Sequence, residues 1–435
     1  MLFDKQSEKR FIAGIELRKD AVQISYGFEK GGHLRAEPVT YTQTSGREDF
    51  DLPTALCRVP SGEWYCGSEA ALHAADAGCV YIPGLLSLAL ERVPVGVDGR
   101  SYAAEDLLAR YLVMCLQEVQ RRIGEENSAG RGSLAPAAIM FTAKEVDSRL
   151  LDLVESLRDR MNLQASVYCQ TTASAFYDFM LNQEEELRGH GTALFEYETG
   201  GRLQVHKLLF DPHTRPVVSY MEENEYPGLF AEDPAGRDQE FAAILKNELA
   251  GHHFDSIYLT GSGFKGDWMK RSARLACQGR RAFAGSNLFS KGAVYGAAFK
   301  LERPKILEDY LFLDQNKLRS NVLIEVSKRG KPDRICVVDA GVNWYEVQAS
   351  TELILDATAE IELVLRPLAG GKEVPYHIRL DRLPVREGRM TRVRLVFTMT
   401  APDKMLLRME DLGFGEIFPS SGLKWEQHIS LQKSR

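Results

Sequence analysis

A change of texture near residue 311 constrains the fold of this chain more than any other feature. Before it, short alternating apolar runs are interleaved with segments of helical period; after it, the chain reads as strands alone. FIAGIEL, AVQISYGF and LRAEPVTYT, within residues 11–42, form a three-strand meander broken by RKD and KGG. TALCRV and WYCG add two short strands around the turn PSGE. A helix is predicted over 103–124, with Leu107, Tyr111, Met114, Leu116 and Val119 along one stripe and Glu105-Asp106 near its start, where the helix dipole favours acids. After the polar loop ENSAGRGSLAP, strand PAAIMFTA, helix KEVDSRLLDLVESLRDRMN, strand ASVYCQ and helix TTASAFYDFMLNQ follow. The meander then restarts with TALFEYE, RLQVHKLLF and PVVSYME, and continues through a helix at 237–250, strand IYLTGSG and a helix at 288–300. From Leu311 onward NVLIEV, RICVVD, YEVQA, TELILDA, AEIELVLRPL, YHIRLDRL, TRVRLVFTMT, MLLRMED and LKWEQHISL predict a β-sandwich of about eight strands. The pattern places an α/β domain over 10–303, with halves at 10–185 and 186–303, and a β-sandwich over 310–435, the boundary falling at Pro304 in LERPK.

The charge balance excludes a dedicated nucleic-acid binder, since the net charge is −7. Residues 301–435 carry 21 basic against 20 acidic side chains, leaving 33 against 41 in the first 300. The N-terminal MLFDKQSEKRF has no apolar core for a signal peptide, and no run of 18 apolar residues occurs, so no membrane contact is expected. Seven scattered cysteines, odd in number and never spaced C-x-x-C, read as reduced and mostly buried thiols of a cytoplasmic protein. The nine histidines form no H-E-x-x-H set, and the adjacent His252-His253 reads as a loop, so no metal site is predicted.

DSIYLTGSGFKGDW, residues 255–268, contains a literal G-x-G-x-x-G at Gly261, Gly263 and Gly266. A dinucleotide fingerprint needs an acid about 20 residues later for the ribose. RSARLACQGRRAFAGSN supplies none between Asp267 and Asn287. Two readings remain: a turn with incidental glycines, or an adenosine-contacting turn in an actin-like fold.

The order of landmarks resembles the Hsp70 chaperones of the actin/hexokinase/Hsp70 superfamily over nearly the whole chain. AGIELRKDAVQISY stands where that family has its first phosphate-binding hairpin, and TALFEYETGGRLQVHKL where it has the second. QTTASAFYDF, YLTGSGF and NLFSKGAVYGAA are similar to its N-E-P-T segment, adenosine turn and closing helix. EDYLFLDQ resembles its interdomain linker, and LDRLPVREGRMTRVRLVFTMTAPDKMLLRMED its peptide-binding β-domain. The resemblance implies a nucleotide site formed by Glu16, Arg18 and Lys19 on the first hairpin, Glu196, Gly200 and Gly201 on the second, and Gly261, Ser262 and Gly263 on the turn.

Departures from that family bear on the chemistry. Arg18-Lys19-Asp20 replace the glycine and hydroxyl residues of the first hairpin, crowding a backbone cradle while offering two cations to a phosphate. Gln170, or Thr171 if the alignment slips by one, replaces the family's glutamate, and neither is a base. No lysine occurs between Lys30 and Lys144, where the family has its catalytic one. Only 62 residues separate Glu196 from Tyr258, so most of the subdomain that clamps adenine is expected to be missing. Weak ATP or ADP binding with magnesium, or none, follows from these departures, with no catalytic residue and no metal ligand assigned.

The expected function is protein or peptide binding through the β-sandwich, in a chaperone-like scaffold with a degenerate nucleotide site. The rivals are a slow ATPase of the actin/Hsp70 class or an actin-like filament protein, and pure ATP discriminates them by turnover or pelleting. A small-molecule kinase is disfavoured by the absent base. Arg379, Arg382, Arg386, Arg389, Arg392 and Arg394 crowd one hairpin and read as a solvated, edge-protecting face, or alternatively as a site for an acidic partner. Trp344-Tyr345 and Phe414 with Phe418 read as core, with a peptide-groove floor as the alternative.

Overall fold

The structure is a computed structural model and describes residues 10–30, 33–42, 48–126, 135–355, 359–368, 372–384, 386 and 390–431. The chain divides into two compact units, Met1–Tyr310 and Leu311–Arg435. The division falls within the strand Tyr310–Leu313, a few residues beyond the expected Pro304.

In the first unit a mixed sheet is built from β1 (Phe11–Leu17), β2 (Ala21–Lys30), β3 (His33–Pro38), β4 (Pro136–Ala143) and β5 (Ser166–Thr171). Its order is β5-β4-β1-β2-β3, with the meander β1-β2-β3 antiparallel and β4 and β5 added in parallel. A second sheet repeats that plan with β6 (Thr192–Tyr197), β7 (Leu203–Asp211), β8 (Val217–Tyr226), β9 (Ser256–Thr260) and β10 (Arg281–Ala284). Its order is β10-β9-β6-β7-β8, the same permutation of strands and the same mix of parallel and antiparallel pairs.

The long helix is α1 (Ala104–Glu126), followed by α2 (Ser148–Met161), α3 (Thr172–Leu181), α4 (Pro234–Glu248) and α5 (Leu288–Leu301). Local chemistry sets their starts. Asp147 caps α2 through the Leu150 N–H, Thr171 caps α3 through the Ser174 N–H, and Asp233 caps α4 just before Pro234. On α1, Leu107, Tyr111, Leu116 and Val119 are buried as the stripe predicts, while Met114 is half-buried.

α5 is apolar all round and almost wholly buried, as such a helix must be. Ala293, Val294, Ala297 and Ala298 pack on Ile12, Ala138 and Met140 of the first sheet. On α3, Phe176 and Phe179 meet Tyr258 of the second sheet edge to face. The two helices touch where a Cβ on Gly292 would stand 1.9 Å from the Ala175 carbonyl oxygen, so only glycine allows this approach.

The halves differ in their insertions. Between β3 and β4 the first half carries α1, two short helices and a three-stranded sheet of Leu56–Arg58, Trp64–Cys66 and Val80–Ile82. Between β8 and β9 the second half carries α4. The polar loop predicted after α1 lies largely outside the described residues, at 127–134.

The second unit holds eight main strands in two antiparallel sheets: β11 (Ser320–Lys328), β12 (Lys331–Val338), β13 (Gln348–Leu355), β14 (Glu360–Pro367), β15 (Val374–Arg379), β16 (Thr391–Ala401), β17 (Lys404–Asp411) and β18 (Lys424–Ser430). One sheet runs β12-β11-β14-β15 and the other β13-β16-β17-β18. YEVQA and TELILDA are not two strands: Trp344–Glu346 form a 3-10 turn and Gln348–Leu355 a single strand.

The arginine reading is corrected in part: Arg379 is exposed on the edge strand β15, as an edge-protecting residue would be, but others differ. β16 is an inner strand, so Arg392 and Arg394 protect no edge; both pair with Glu352 of β13, at 3.6 and 3.0 Å. Arg386 is buried in a bidentate pair with Asp411, at 2.8 and 2.7 Å. Arg389 lies outside the described residues. Trp344 is core, its indole N–H donating to Asn316 Oδ1, whereas Phe414 is 40% exposed and belongs to no core.

All seven cysteines are free; Cys57, Cys115 and Cys169 are buried, Cys66 and Cys79 half-buried, and Cys277 and Cys336 exposed. Burial of the thiols is thus partial rather than general. No helix among the described residues is long and apolar enough to cross a membrane.

Candidate functional site

Two rows of like residues face inward from equivalent places on the two sheets. Glu16, the penultimate residue of β1, lies between Gln23 of β2 and Thr142 of β4. Glu196, the penultimate residue of β6, lies between Gln204 of β7 and Thr260 of β9. Residues directly opposite share a face, so each sheet presents a Thr-Glu-Gln row. In the first sheet the row continues to Gln170, opposite Thr142. Gln170 stands in the row, and Thr171 is occupied as the cap of α3. Gln23, Glu16, Thr142 and Gln170 are all at most 5% exposed. Glu16 Oε2, Gln23 Oε1, Thr142 Oγ1 and Gln170 Nε2 have no hydrogen-bond partner among the described residues.

Most of the predicted site residues meet at one place, Lys19 excepted. From the first hairpin, Arg18 donates through Nε to Glu16 Oε1 at 2.7 Å and reaches Asp51 at 3.4 Å and Glu198 at 3.5 Å. Gln23 also donates to Asp51, at 2.8 Å. Lys19 is exposed at the hairpin turn. From the second hairpin, Gly200 supplies the positive φ of +76° and the Gly201 N–H donates to the Glu198 carbonyl. The turn Gly261–Gly263 docks on this hairpin: the Ser262 N–H and hydroxyl both donate to Glu198 Oε2, and the Thr199 N–H donates to Ser262 Oγ at 3.0 Å.

The glycines of that turn serve packing. Gly261 has φ +106°, and a Cβ there would meet the Tyr197 carbonyl oxygen at 2.3 Å. A Cβ on Gly263 would enter the Tyr197 ring at 2.2 Å. After Gly261 the chain makes a 3-10 turn, Ser262–Phe264, and no long helix opens there. The strand-turn-helix of a dinucleotide fingerprint is absent from this position.

Charge is arranged around two cations. Arg18 faces Glu16, Asp51 and Glu198; His206, 12% exposed at its side chain, faces Glu223 through Nδ1 at 3.0 Å and Glu196 through Nε2 at 3.8 Å. Burial pushes the Glu16 carboxyl up to about 7 against the pull of Arg18. Burial also acts to raise Glu196, but His206 and Arg18 hold it below the usual carboxylate value, with a smaller contribution from Lys144. For His206, burial opposes the charged ring, and the two glutamates override it to push the imidazolium up to about 9. Five carboxylates thus surround Arg18 and His206.

Four of the backbone donors around this place are already engaged. The Arg18 N–H donates to the Ala21 carbonyl at 2.9 Å, and the N–H groups of Thr199, Gly201 and Ser262 are bonded within the cluster. Asp51 and Glu198 were not anticipated. The acid-rich EDFD and the second acid of FEYE were their traces, but neither has a motif spacing.

Comparison with known families gives two matches. Residues 37–315 match the Family of unknown function (DUF5716) C-terminal, and residues 317–431 match the Domain of unknown function (DUF8552). No curated protein matches the chain.

Proposed function

The chain belongs, through residues 37–315, to the family of unknown function DUF5716, and from that premise we propose a non-hydrolysing, Hsp70-like binding protein whose actin-like nucleotide cleft is closed by its own side chains. The Arg18 guanidinium carries this reading: it lies among Glu16, Asp51 and Glu198, between the two hairpins that would cradle a polyphosphate. A triphosphate would have to displace Glu198 from Ser262 and would meet more carboxylates than cations. ATP or ADP with magnesium therefore binds weakly, and no catalytic base is assigned.

Calorimetry with magnesium-ATP checks this. The wild type should show no tight binding, and Arg18→Gly should gain affinity by opening the cradle. Tight binding by the wild type, or turnover that Glu196→Ala abolishes, overturns it in favour of a working ATPase.

Recognition then falls to the β-domain, read as a peptide-binding sandwich. β12 is an edge strand and is exposed from Lys331 through Cys336, with Ile335 43% exposed. Its first half, KPDR, carries the charges and proline that discourage pairing, while its second half, ICVV, does not. An extended apolar peptide adds to that second half by main-chain hydrogen bonds. Fluorescence anisotropy with labelled apolar heptapeptides on the full chain should show binding that Ile335→Glu weakens at least tenfold. Equal binding by wild type and variant, or none by the wild type, removes the edge as the recognition surface.

A further inference from the structure

Away from the cleft, His190, His253 and Asp255 come together at the start of the second sheet. His190 lies in the loop entering β6 and Asp255 in the loop entering β9, 65 residues apart in sequence. The side-chain ligand atoms of the three residues all lie within 4.8 Å of one another. Asp255 Oδ1 stands 3.0 Å from His190 Nδ1 and 3.5 Å from His253 Nε2. Three ligands held about 2.0–2.2 Å from a zinc ion at tetrahedral angles are spaced roughly 3.3–3.5 Å apart, so modest ring rotations suffice to converge these atoms.

Asp255 is anchored through one carboxylate oxygen and through its backbone. Asp255 Oδ2 accepts from the His190 N–H at 2.6 Å, the Asp255 N–H donates to the Gly191 carbonyl, and the Asp255 carbonyl accepts from the Arg281 N–H. Its side chain is only 12% exposed, whereas His190 and His253 are 71% and 64% exposed, their rings packed edge to face and His190 Nδ1 within hydrogen-bond distance of Asp255 Oδ1. The second carboxylate oxygen is thereby fixed as an outer-shell contact, the device that orients ligands in metal sites.

We propose that His190, His253 and Asp255 form a divalent transition-metal site, best suited to Zn²⁺, with a fourth position open to solvent. Two imidazoles and one carboxylate match zinc and its neighbours; magnesium and calcium require oxygen ligands. The ion ties together the loops that open two adjacent parallel inner strands, β6 and β9, and so fastens them where they enter the second sheet. The sequence hid the triad because the adjacent His252-His253 pair contributes one ligand, and the others lie elsewhere in the chain.

The test uses tag-free full-length protein stripped with chelator. Isothermal titration with Zn²⁺ should show one site per chain, thermal unfolding should move up by several degrees with Zn²⁺ but not Mg²⁺, and Co²⁺ should give visible absorption bands of a low-coordinate site. The double variant His190→Ala with His253→Ala keeps the backbone contacts to Asp255. It should melt like the wild type in chelator, bind Zn²⁺ at least tenfold more weakly and give no Co²⁺ bands. Wild-type protein without a zinc-dependent shift, or a double variant that retains it, overturns the site.

Discussion

His206 lies between Glu196 and Glu223, and the two carboxylates favour its charged form. Its ionisation is raised from the ordinary histidine value to about 9, so the charged ring is favoured in the folded state. The resulting stabilisation is fully present below the unfolded-state value near 6.5 and is lost as pH rises through about 9. A shift of this size corresponds to at most about 3 kcal/mol. Urea unfolding at pH 6.5 and pH 10 should therefore show a larger loss of stability for the wild type than for His206→Gln. Equal losses would mean that the ring is neutral in the native protein. At this scale the sequence revealed residue types but not partners. Glu16 and Glu196 were visible as the acids of two similar hairpins. Arg18 was visible as an obstruction and as a cation for a phosphate, and its role as counter-ion depends on Asp51 and Glu198, which no local pattern connects to it.

The crossing of α3 and α5 rests on one missing side chain. A Cβ on Gly292 would collide with the backbone of Ala175, which cannot swing aside as a side-chain tip can. Gly292→Ala should cost about 3 kcal/mol by forcing the helices apart. Gly285→Ala, where nothing lies within 4 Å of the added carbon, should be near neutral in the same denaturation assay. The helices and most strands were legible because period 3.6 survives in RLLDLVESL and period 2 in TRVRLVF. The join of YEVQA to TELILDA was obscured by Trp344, whose indole is taken into the core on a 3-10 turn beside the strand. The arginines misled for a related reason: alternation places a charge on a sheet face but does not say whether the strand is inner or outer.

At the scale of the whole molecule, the repeated strand order was foreshadowed by a meander read twice, and the unequal insertions by the short interval between Glu196 and Tyr258. Each unit has buried apolar residues of its own, from Phe11 to Ala298 in one and from Phe312 to Leu431 in the other. Calorimetry should accordingly resolve two unfolding transitions. Asp411 identifies the second. Beyond its bidentate bond to Arg386, it accepts from the N–H groups of Gly413 and Ser421 and from the Ser421 hydroxyl. The Arg386 hydrogen bonds hold its carboxyl far below the usual range, so its contribution is present above about pH 4 and fades as pH falls further. Asp411→Ala should lower one transition by the equivalent of about 3–5 kcal/mol, because it strands a buried guanidinium, and leave the other in place. A single transition shifted as a whole would show that the units do not unfold separately.

One ladder of ion pairs has a consequence for how β16, β17 and β18 find one another. Glu352, Arg394, Glu410 and Lys424 stand opposite each other across four strands, with signs alternating. Hydrophobic alternation rejects a slip of one residue, because it would turn the apolar face outward, but it is blind to a slip of two. Charge is not. Between β17 and β18 the native pairs are Glu410 with Lys424 and Arg408 with Glu426. Sliding β18 two residues one way sets Glu410 against Glu426, and sliding it the other way sets Arg408 against Lys424. Like charges oppose each other in either case. The surface charges of this sheet thus act as a vernier, choosing among alignments that its oily side cannot tell apart.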